Sequence, residues 1–199
     1  MGFLNKLFGN TTKEEEKMTN SKLKIGIILG STRQGRVSPQ VGEWVKGIAD
    51  KRGDADYEIV DIADFKLPFL GEGTGQEPGL AAWNEKLDSL DGFVFVVQEY
   101  NHSITGALKN ALDSARDAWY NKAAGIVSYG STGGARAAEH LRGILGELKV
   151  ADVRTHPTLS LFTDFENGSV FKPQDLHQTN MTAMLDEVIA WSGALKTLR

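Results

Sequence analysis

Short apolar runs of strand length alternate with helical patterns along most of the chain. The runs cover residues 25–29, 57–62, 92–97, 125–128 and 153–161. Between them, apolar residues recur at every third or fourth position, which is typical of amphipathic helices. Parallel strands need helical crossovers, and right-handed crossovers place the helices on both faces of the sheet. The alternation therefore predicts an α/β fold: a doubly wound, five-stranded parallel sheet in a three-layer αβα arrangement.

Composition excludes several classes of protein. The 199 residues contain no cysteine, which rules out disulfides, thiolate metal sites and cysteine nucleophiles. The four histidines show no metal-ligand spacing, so we expect no metal site. The net charge is -4 with no basic block, which argues against a nucleic-acid partner. No apolar stretch reaches membrane-spanning length, so we expect no membrane partner and a cytoplasmic location.

The first residues differ in character from the rest. Residues 13–17 form a charge run, and the alternating pattern begins only near residue 22. We interpret residues 1–21 as a flexible N-terminal tail and residues 22–199 as a single domain, because one domain of this length can bury a sizeable core.

The loop after the first predicted strand is rich in groups that bind phosphate. It carries hydroxyls and guanidiniums at Ser31, Thr32, Arg33, Arg36 and Ser38. Ser38 is also an N-cap candidate for the helix that starts near Pro39, and the free N–H groups of a helix start favour anions. We interpret this loop as a monophosphate site. The alternative is a capped helix start with two surface arginines.

The common nucleotide motifs are absent from this loop. Arg36 and Val37 stand where a P-loop has Lys and Ser or Thr, and the dinucleotide motif G-x-G-x-x-G is missing. Nucleotide hydrolysis and a Rossmann-type NAD site are therefore not supported.

Two further loops follow buried strands and suit a planar heterocycle. Tyr100 offers a flat face, while Asn101 and Ser103 offer donors and acceptors. The glycines of residues 130–134 allow close backbone approach. His102 in such a loop is more often a hydrogen-bonding group than a catalytic base. A phosphate site beside a ring site predicts a mononucleotide ligand.

Five segments together resemble the NADPH-dependent FMN reductase family, whose relatives include chromate, quinone and azo reductases. They are GSTRQGR (30–36), EYNHS (99–103), GALKNALD (106–113), VSYG (127–130) and GGARA (133–137). The resemblance implies a flavodoxin-like fold with strand order 2-1-3-4-5. It also implies noncovalent FMN, reduction by NADPH with NADH as a possible substitute, and a homodimer or homotetramer.

By position, the resemblance also implies which residues hold the cofactor. The phosphate would be held by Ser31, Thr32, Arg33, Arg36 and Ser38. The ring and ribityl chain would lie along Gln98, Glu99, Tyr100, Asn101 and Ser103. The ring would be bordered by Ser128, Tyr129, Gly130 and Gly133. No side chain is assigned as a catalytic acid or base.

Two positions depart from the family pattern. Gln98 and Thr105 stand where the family usually has proline. Because proline restricts the backbone, we expect the loop between them to be looser here and the flavin potential to be altered.

The resemblance implies an FMN-dependent oxidoreductase that passes hydride from NADPH through bound FMN to a small acceptor. The acceptor could be a quinone, an azo compound, a metal oxyanion or free flavin. The alternative is a flavodoxin-like electron carrier, or a flavin-sensing protein, that uses the same fold without NADPH turnover.

Overall fold

The computed structural model describes residues 22–199. The predicted tail, residues 1–21, lies outside the described residues, so the division of the chain at residue 22 stays a prediction.

Strands and helices alternate in the described chain. The strands are β1 (Leu23–Leu29), β2 (Ala55–Asp61), β3 (Gly92–Gln98), β4 (Lys122–Gly130), β5 (Val150–Asp152), β6 (Thr158–Ser160), β7 (Phe165–Glu166) and β8 (Val170–Phe171). The helices are α1 (Ser38–Ala49), α2 (Pro78–Asp88), α3 (Gly106–Asp113), α4 (Ala135–Glu147) and α5 (Leu176–Lys196). Short 3-10 turns occupy Asp50–Arg52, Ile62–Phe65 and Asp117–Trp119. Among residues 22–199, no helix combines the length and the apolar character needed to cross a membrane.

The main sheet has the predicted order. Its strands run β2-β1-β3-β4-β5, all parallel, which confirms the flavodoxin-like arrangement. At the carboxyl ends, Leu29 pairs with Asp61 and Val96, and Gln98 pairs with Tyr129. The loops that follow β1, β3 and β4 therefore leave the sheet side by side.

Both faces of the sheet are covered, as the apolar runs of the central strands predict. β3 and β4 are buried along their whole length. Helices α2, α3 and α4 pack on one face around Trp83, Phe93 and Trp119, while α1 and α5 pack on the other. Trp83 and Trp119 are fully buried, and each indole N–H donates to a backbone carbonyl.

The fifth strand is not the continuous run that the sequence suggested. Two short strands, β5 and β6, take that position, and both pair with β4. Between them the chain leaves the sheet because Thr155 is bound through its backbone and hydroxyl to Glu187 of α5. Pro157 also has no N–H to give to a ladder.

The helix after β3 is also shorter than the sequence suggests, since apolar residues recur at helical spacing from Ile104 to Trp119. Thr105 caps its start by accepting a hydrogen bond from the Leu108 N–H, and the helix ends at Asp113. Asn84 of α2 donates to the Ser114 carbonyl just beyond that end. Trp119 therefore reaches the core from a separate 3-10 turn.

A small antiparallel hairpin, β7–β8, was missing from the sequence-based prediction. Its turn carries Asn167 and Gly168, both with left-handed backbone angles. Asn-Gly between short apolar segments is a strong hairpin signal, and here it was overlooked.

Candidate functional site

Three loops converge on one cleft at the carboxyl edge of the sheet. They follow β1, β3 and β4, and the cleft has a volume of about 120 Å³. It is lined by Arg33, Val37, Gln98, Glu99, Tyr100, Tyr129, Gly130, Leu161 and Gly168. This is the point where the strand order reverses direction, which is where open α/β sheets bind ligands.

The loop after β1 contributes donors to this cleft. Arg33 donates through Nε to the Tyr100 hydroxyl at 2.9 Å and also contacts two carbonyls of its own loop. The Ser31 hydroxyl is buried and accepts from the Arg33 N–H. Ser38 is the first residue of α1 rather than its cap, which is Val37. Its hydroxyl is buried without a hydrogen-bond partner.

Arg36 does not face the cleft freely. Its guanidinium pairs with Asp61 at the end of β2 and donates to the Ser31 carbonyl at 2.5 Å. The side chain therefore holds the shape of the loop after β1. A role for Asp61 was not predicted from the sequence. Its position at the end of a strand, beside a loop that carries arginines, was the signal that could have indicated one.

Thr32 does not line this cleft. It lines a neighbouring cleft of about 330 Å³ together with Ile62, Lys66 and Phe69. Thr32 and Arg33 therefore line different clefts, although the two residues are adjacent in sequence.

The loop after β3, residues 98–103, forms a tight two-residue turn. Tyr100 and Ser103 exchange two backbone hydrogen bonds of 3.0 Å, and Asn101 and His102 take left-handed angles at the corner. Such angles are unfavourable for residues other than glycine, so contacts around the turn must hold it. We call residues 98–103 the ring loop.

The two lost prolines are replaced by hydrogen bonds. Gln98 Nε2 and Thr105 Oγ1 both donate to the Gly30 carbonyl at 2.6 Å. These bonds tie Gln98, at the start of the ring loop, and Thr105, just beyond its end, to Gly30 at the start of the loop after β1. The contacts therefore run against the expectation of a loosened loop.

Two tyrosines line the cleft in different environments. Tyr129 is buried, and this burial raises the pKa of its hydroxyl, which keeps the group neutral and able to donate. Tyr100 is 43% exposed at the mouth of the cleft. Tyr129 is thus a fixed wall and Tyr100 a partly open surface.

The glycine turn after β4 requires its glycines. Gly133 and Gly134 have φ of +70° and +74°, and a Cβ on Gly134 would lie 2.7 Å from the Tyr129 nitrogen. Ser128, predicted to border the ring, is fully buried and turned toward this turn. Its hydroxyl donates to the Gly133 carbonyl at 2.5 Å, so the His156 Nε2, 2.8 Å away, must carry the hydrogen that Ser128 accepts.

Some residues that shape the site were missed. Arg136 and His140, one helical turn apart on α4, contact the ring loop at Glu99, His102 and Ser103. The Ser103 hydroxyl therefore faces α4. The i, i+4 spacing directly after a glycine turn was the signal for these two residues.

The chemistry of the cleft fits a polar aromatic ring with a phosphate arm. Six buried side-chain atoms of residues 22–199 have no hydrogen-bond partner, and three of them lie at this edge of the sheet: Ser38 Oγ, Gln98 Oε1 and Glu99 Oε2. Each lies at or next to the end of a strand or the start of a helix at the carboxyl edge, and buried polar atoms ordinarily have a partner. A Cβ on Gly130 would approach Glu99 to 3.1 Å, so the glycine also permits close approach of the ring loop.

The chain belongs to the NADPH-dependent FMN reductase family, because the model of that family matches residues 23–164. This membership makes it an oxidoreductase whose cofactors are FMN and NAD(P)H.

Individual proteins agree with this assignment. An NAD(P)H-dependent FMN reductase of Schizosaccharomyces pombe is 36% identical over 157 residues, covering 75% of this chain and 78% of the relative. A 2-hydroxy-1,4-benzoquinone reductase of a Burkholderia species is 30% identical over 182 residues, covering 85% and 96%. The flavoenzyme FerB of Paracoccus denitrificans, an NAD(P)H:acceptor oxidoreductase, has the same fold, with a TM-score of 0.69 at 17% identity over 86% of this chain and 98% of FerB.

Proposed function

We propose that this chain passes hydride from NAD(P)H through bound FMN to a small acceptor, and that a quinone is the acceptor class to test first. The observation that carries the proposal is the convergence of three strand-end loops on one cleft with buried, unpartnered polar atoms. The choice of a quinone rests on the name of the Burkholderia relative. When bound, FMN would supply the hydride chemistry, so no side chain is needed as acid or base.

The phosphate arm would be held by the loop after β1. Ser38 offers a buried hydroxyl in the first turn of α1, where the helix N–H groups favour an anion. Arg33 can turn its guanidinium to the phosphate by giving up Tyr100, while Arg36 keeps the loop in shape through Asp61. Ser31 supports the backbone between them.

The ring would lie between the ring loop and the glycine turn. Gln98 and Tyr100 line the cleft from the ring loop, and Tyr129 and Gly130 line it from the end of β4. Asn101 lies at the exposed corner of the ring loop, where it can reach the ligand only at the mouth of the cleft. The exposed Tyr100 would leave one side of the ring open to NAD(P)H and then to the acceptor.

One experiment tests cofactor and hydride transfer together. We expect the purified protein to bind FMN, and NADPH alone to bleach the flavin spectrum without oxygen, with the colour returning when a benzoquinone is added. A protein that stays colourless with FMN would contradict the proposal. Binding without bleaching would favour the electron carrier or sensor.

A pair of serine variants tests the location of the phosphate. Ser38 and Ser192 both have buried hydroxyls without partners, but Ser192 lies near Gly92, at the opposite edge of the sheet. A hydrogen bond to a charged group contributes about 1.5–3 kcal/mol, so Ser38→Ala should raise the FMN dissociation constant by about tenfold or more. Ser192→Ala should leave it unchanged. Equal effects of the two variants would place the phosphate elsewhere.

We further propose a homodimer or homotetramer in the cytoplasm. Light scattering of the purified protein and cell fractionation test these two points separately. A monomer at all concentrations would contradict the first.

A further inference from the structure

The acid that follows β3 is buried beside the proposed ring site. The Glu99 side chain is 4% exposed and forms an ion pair with Arg136 of α4. Arg136 Nε donates to Glu99 Oε1 at 2.6 Å, and the second carboxylate oxygen has no partner. Because Glu99 also lines the cleft, this ion pair lies within reach of anything bound there.

Arg136 contacts the ring loop at a second point. Its Nη1 lies 3.1 Å from His102 Nε2. His102 is the second residue of the left-handed corner that Asn101 and His102 form. One guanidinium therefore bridges the two sides of the turn. His140, four residues further along α4, lies 2.9 Å from the Ser103 hydroxyl and holds the end of the same turn.

The pair is ionised and neutral in sum. Burial opposes ionisation of Glu99, but the hydrogen bond from Arg136 and the positive charge of its guanidinium outweigh it. Together they lower the pKa of the carboxyl below its ordinary value. Arginine remains charged at any working pH. Loss of Arg136 would therefore leave a buried carboxylate without its counter-charge beside the cleft, whereas loss of Glu99 would leave a guanidinium whose side chain is 39% exposed.

We propose that the Glu99–Arg136 pair sets the reduction potential of the flavin by balancing charge beside the ring, and that Arg136 is a positioning residue that holds the ring loop. The inference rests on the proposed function, since it requires FMN in this cleft. Reduction adds negative charge to a flavin. A carboxylate left alone would therefore disfavour the reduced form, and a guanidinium left alone would favour it.

The test is a double-mutant cycle on the FMN-loaded protein. Arg136→Gln should lower the midpoint potential, Glu99→Gln should raise it, and the double variant should return it close to the wild-type value. The same result can be read as the ratio of dissociation constants for reduced and oxidised FMN. We expect each single variant to change this ratio about tenfold, which corresponds to about 30 mV for a two-electron couple.

Two further variants separate charge from structure. Arg136→Lys keeps the charge and loses the bridge to His102, so its potential should stay near that of the wild type while FMN binds more weakly. Arg142 lies on the same helix as Arg136 and forms a comparable pair with Asp152 of β5, outside the cleft. Arg142→Gln breaks that pair and should leave the potential unchanged. A variant can bind FMN too weakly for a potential measurement. The shift is then obtained from the ratio of its dissociation constants for reduced and oxidised FMN, measured at higher protein concentration.

Single variants that shift the potential in the same direction, or a double variant that shifts it further than either, would overturn the proposal and leave only a structural role. Failure of the proposed function looks different, because the wild-type protein would then fail to bind FMN or to be bleached by NADPH. If the wild type does both and neither single variant changes the ratio, only the present inference fails.

Discussion

Strand β3 is bounded by two buried carboxylates, Asp91 before it and Glu99 after it, and their surroundings differ. Both oxygens of Asp91 have partners: Lys24 N–H and Lys196 on one, Arg199 on the other. Glu99 has Arg136 on one oxygen and nothing on the other. The pKa of each carboxyl is lowered even though burial opposes this, so both are ionised.

The difference separates structural support from ligand binding. Asp91 ties the start of β1 to the end of α5 and lies outside every loop that reaches the cleft. Glu99 lies among buried polar atoms without hydrogen-bond partners at the carboxyl edge. Such atoms lower the stability of the fold, and a ligand can supply the missing hydrogen bonds. Substitutions at the two edges of the sheet should therefore have different effects. At the amino edge they should change stability alone, and at the carboxyl edge they should change both FMN binding and stability.

The largest effect is expected at the glycine turn of the carboxyl edge. Gly134→Ala would place a Cβ 2.7 Å and 2.8 Å from the backbone N and O of Tyr129, at a φ of +74° that alanine disfavours. We expect a loss of about 3–4 kcal/mol in the free energy of unfolding, together with loss of FMN binding. Urea denaturation and FMN titration measure the two effects.

Gly146 on α4 offers a matched control for that substitution. A Cβ there meets nothing within 4 Å, so Gly146→Ala should stabilise the helix by about 0.5–1 kcal/mol and leave FMN affinity unchanged. If both glycine variants unfold the protein equally, the proposed importance of the turn is wrong.

At the amino edge, Asp91→Asn should cost about 2 kcal/mol of stability without changing FMN affinity. The cost follows from leaving Lys196 and Arg199 without their acid, and it is limited because both cations are partly exposed. The folded pKa lies below the ordinary 3.8, so this stability is present above that value and lost as pH falls through the folded pKa. The difference in free energy of unfolding between the wild type and the variant should therefore become smaller in strong acid. A change in FMN affinity as large as that of a cleft variant would break the comparison.

The same contrast explains what the sequence could and could not predict. The central strands are mostly apolar, as is β1, so the parallel sheet followed from periodicity, and the loops at its carboxyl edge followed from the sheet. The orientation of side chains within those loops did not follow. Arg36 turned to Asp61 and Ser128 to His156 because contacts with residues 25 to 28 positions away decided them. No local pattern carries that information.

The ring loop shows the limit most clearly. Two lost prolines predicted a looser backbone, yet Gln98 and Thr105 each found the same carbonyl, that of Gly30. Propensity describes what proline would have done for the isolated segment, whereas the fold brings β1 beside β3 and supplies the partner. By contrast, Asn167-Gly168 was a local signal that could have been used, and the hairpin it forms places Gly168 at the cleft.

A pH dependence of stability is expected at the carboxyl end of β4. Burial, and then the charge of Arg142, lower the pKa of His156 from 6.5 to about 4, so the folded protein resists taking up a proton that the unfolded chain accepts. Stability should therefore fall by about 2 kcal/mol as pH drops from 6.5 to 4, after allowance for partial solvent exposure of the ring, and level off below 4. His156→Gln keeps a donor for Ser128 and should flatten the dependence of stability on pH in this window.

Lys122, buried at the other end of β4, is the control. Burial lowers its pKa from 10.5 to about 8, so Lys122→Met should alter the dependence of stability on pH only between those values. An unchanged slope between pH 6.5 and 4 in His156→Gln would show that the acid sensitivity lies elsewhere, because the two windows do not overlap.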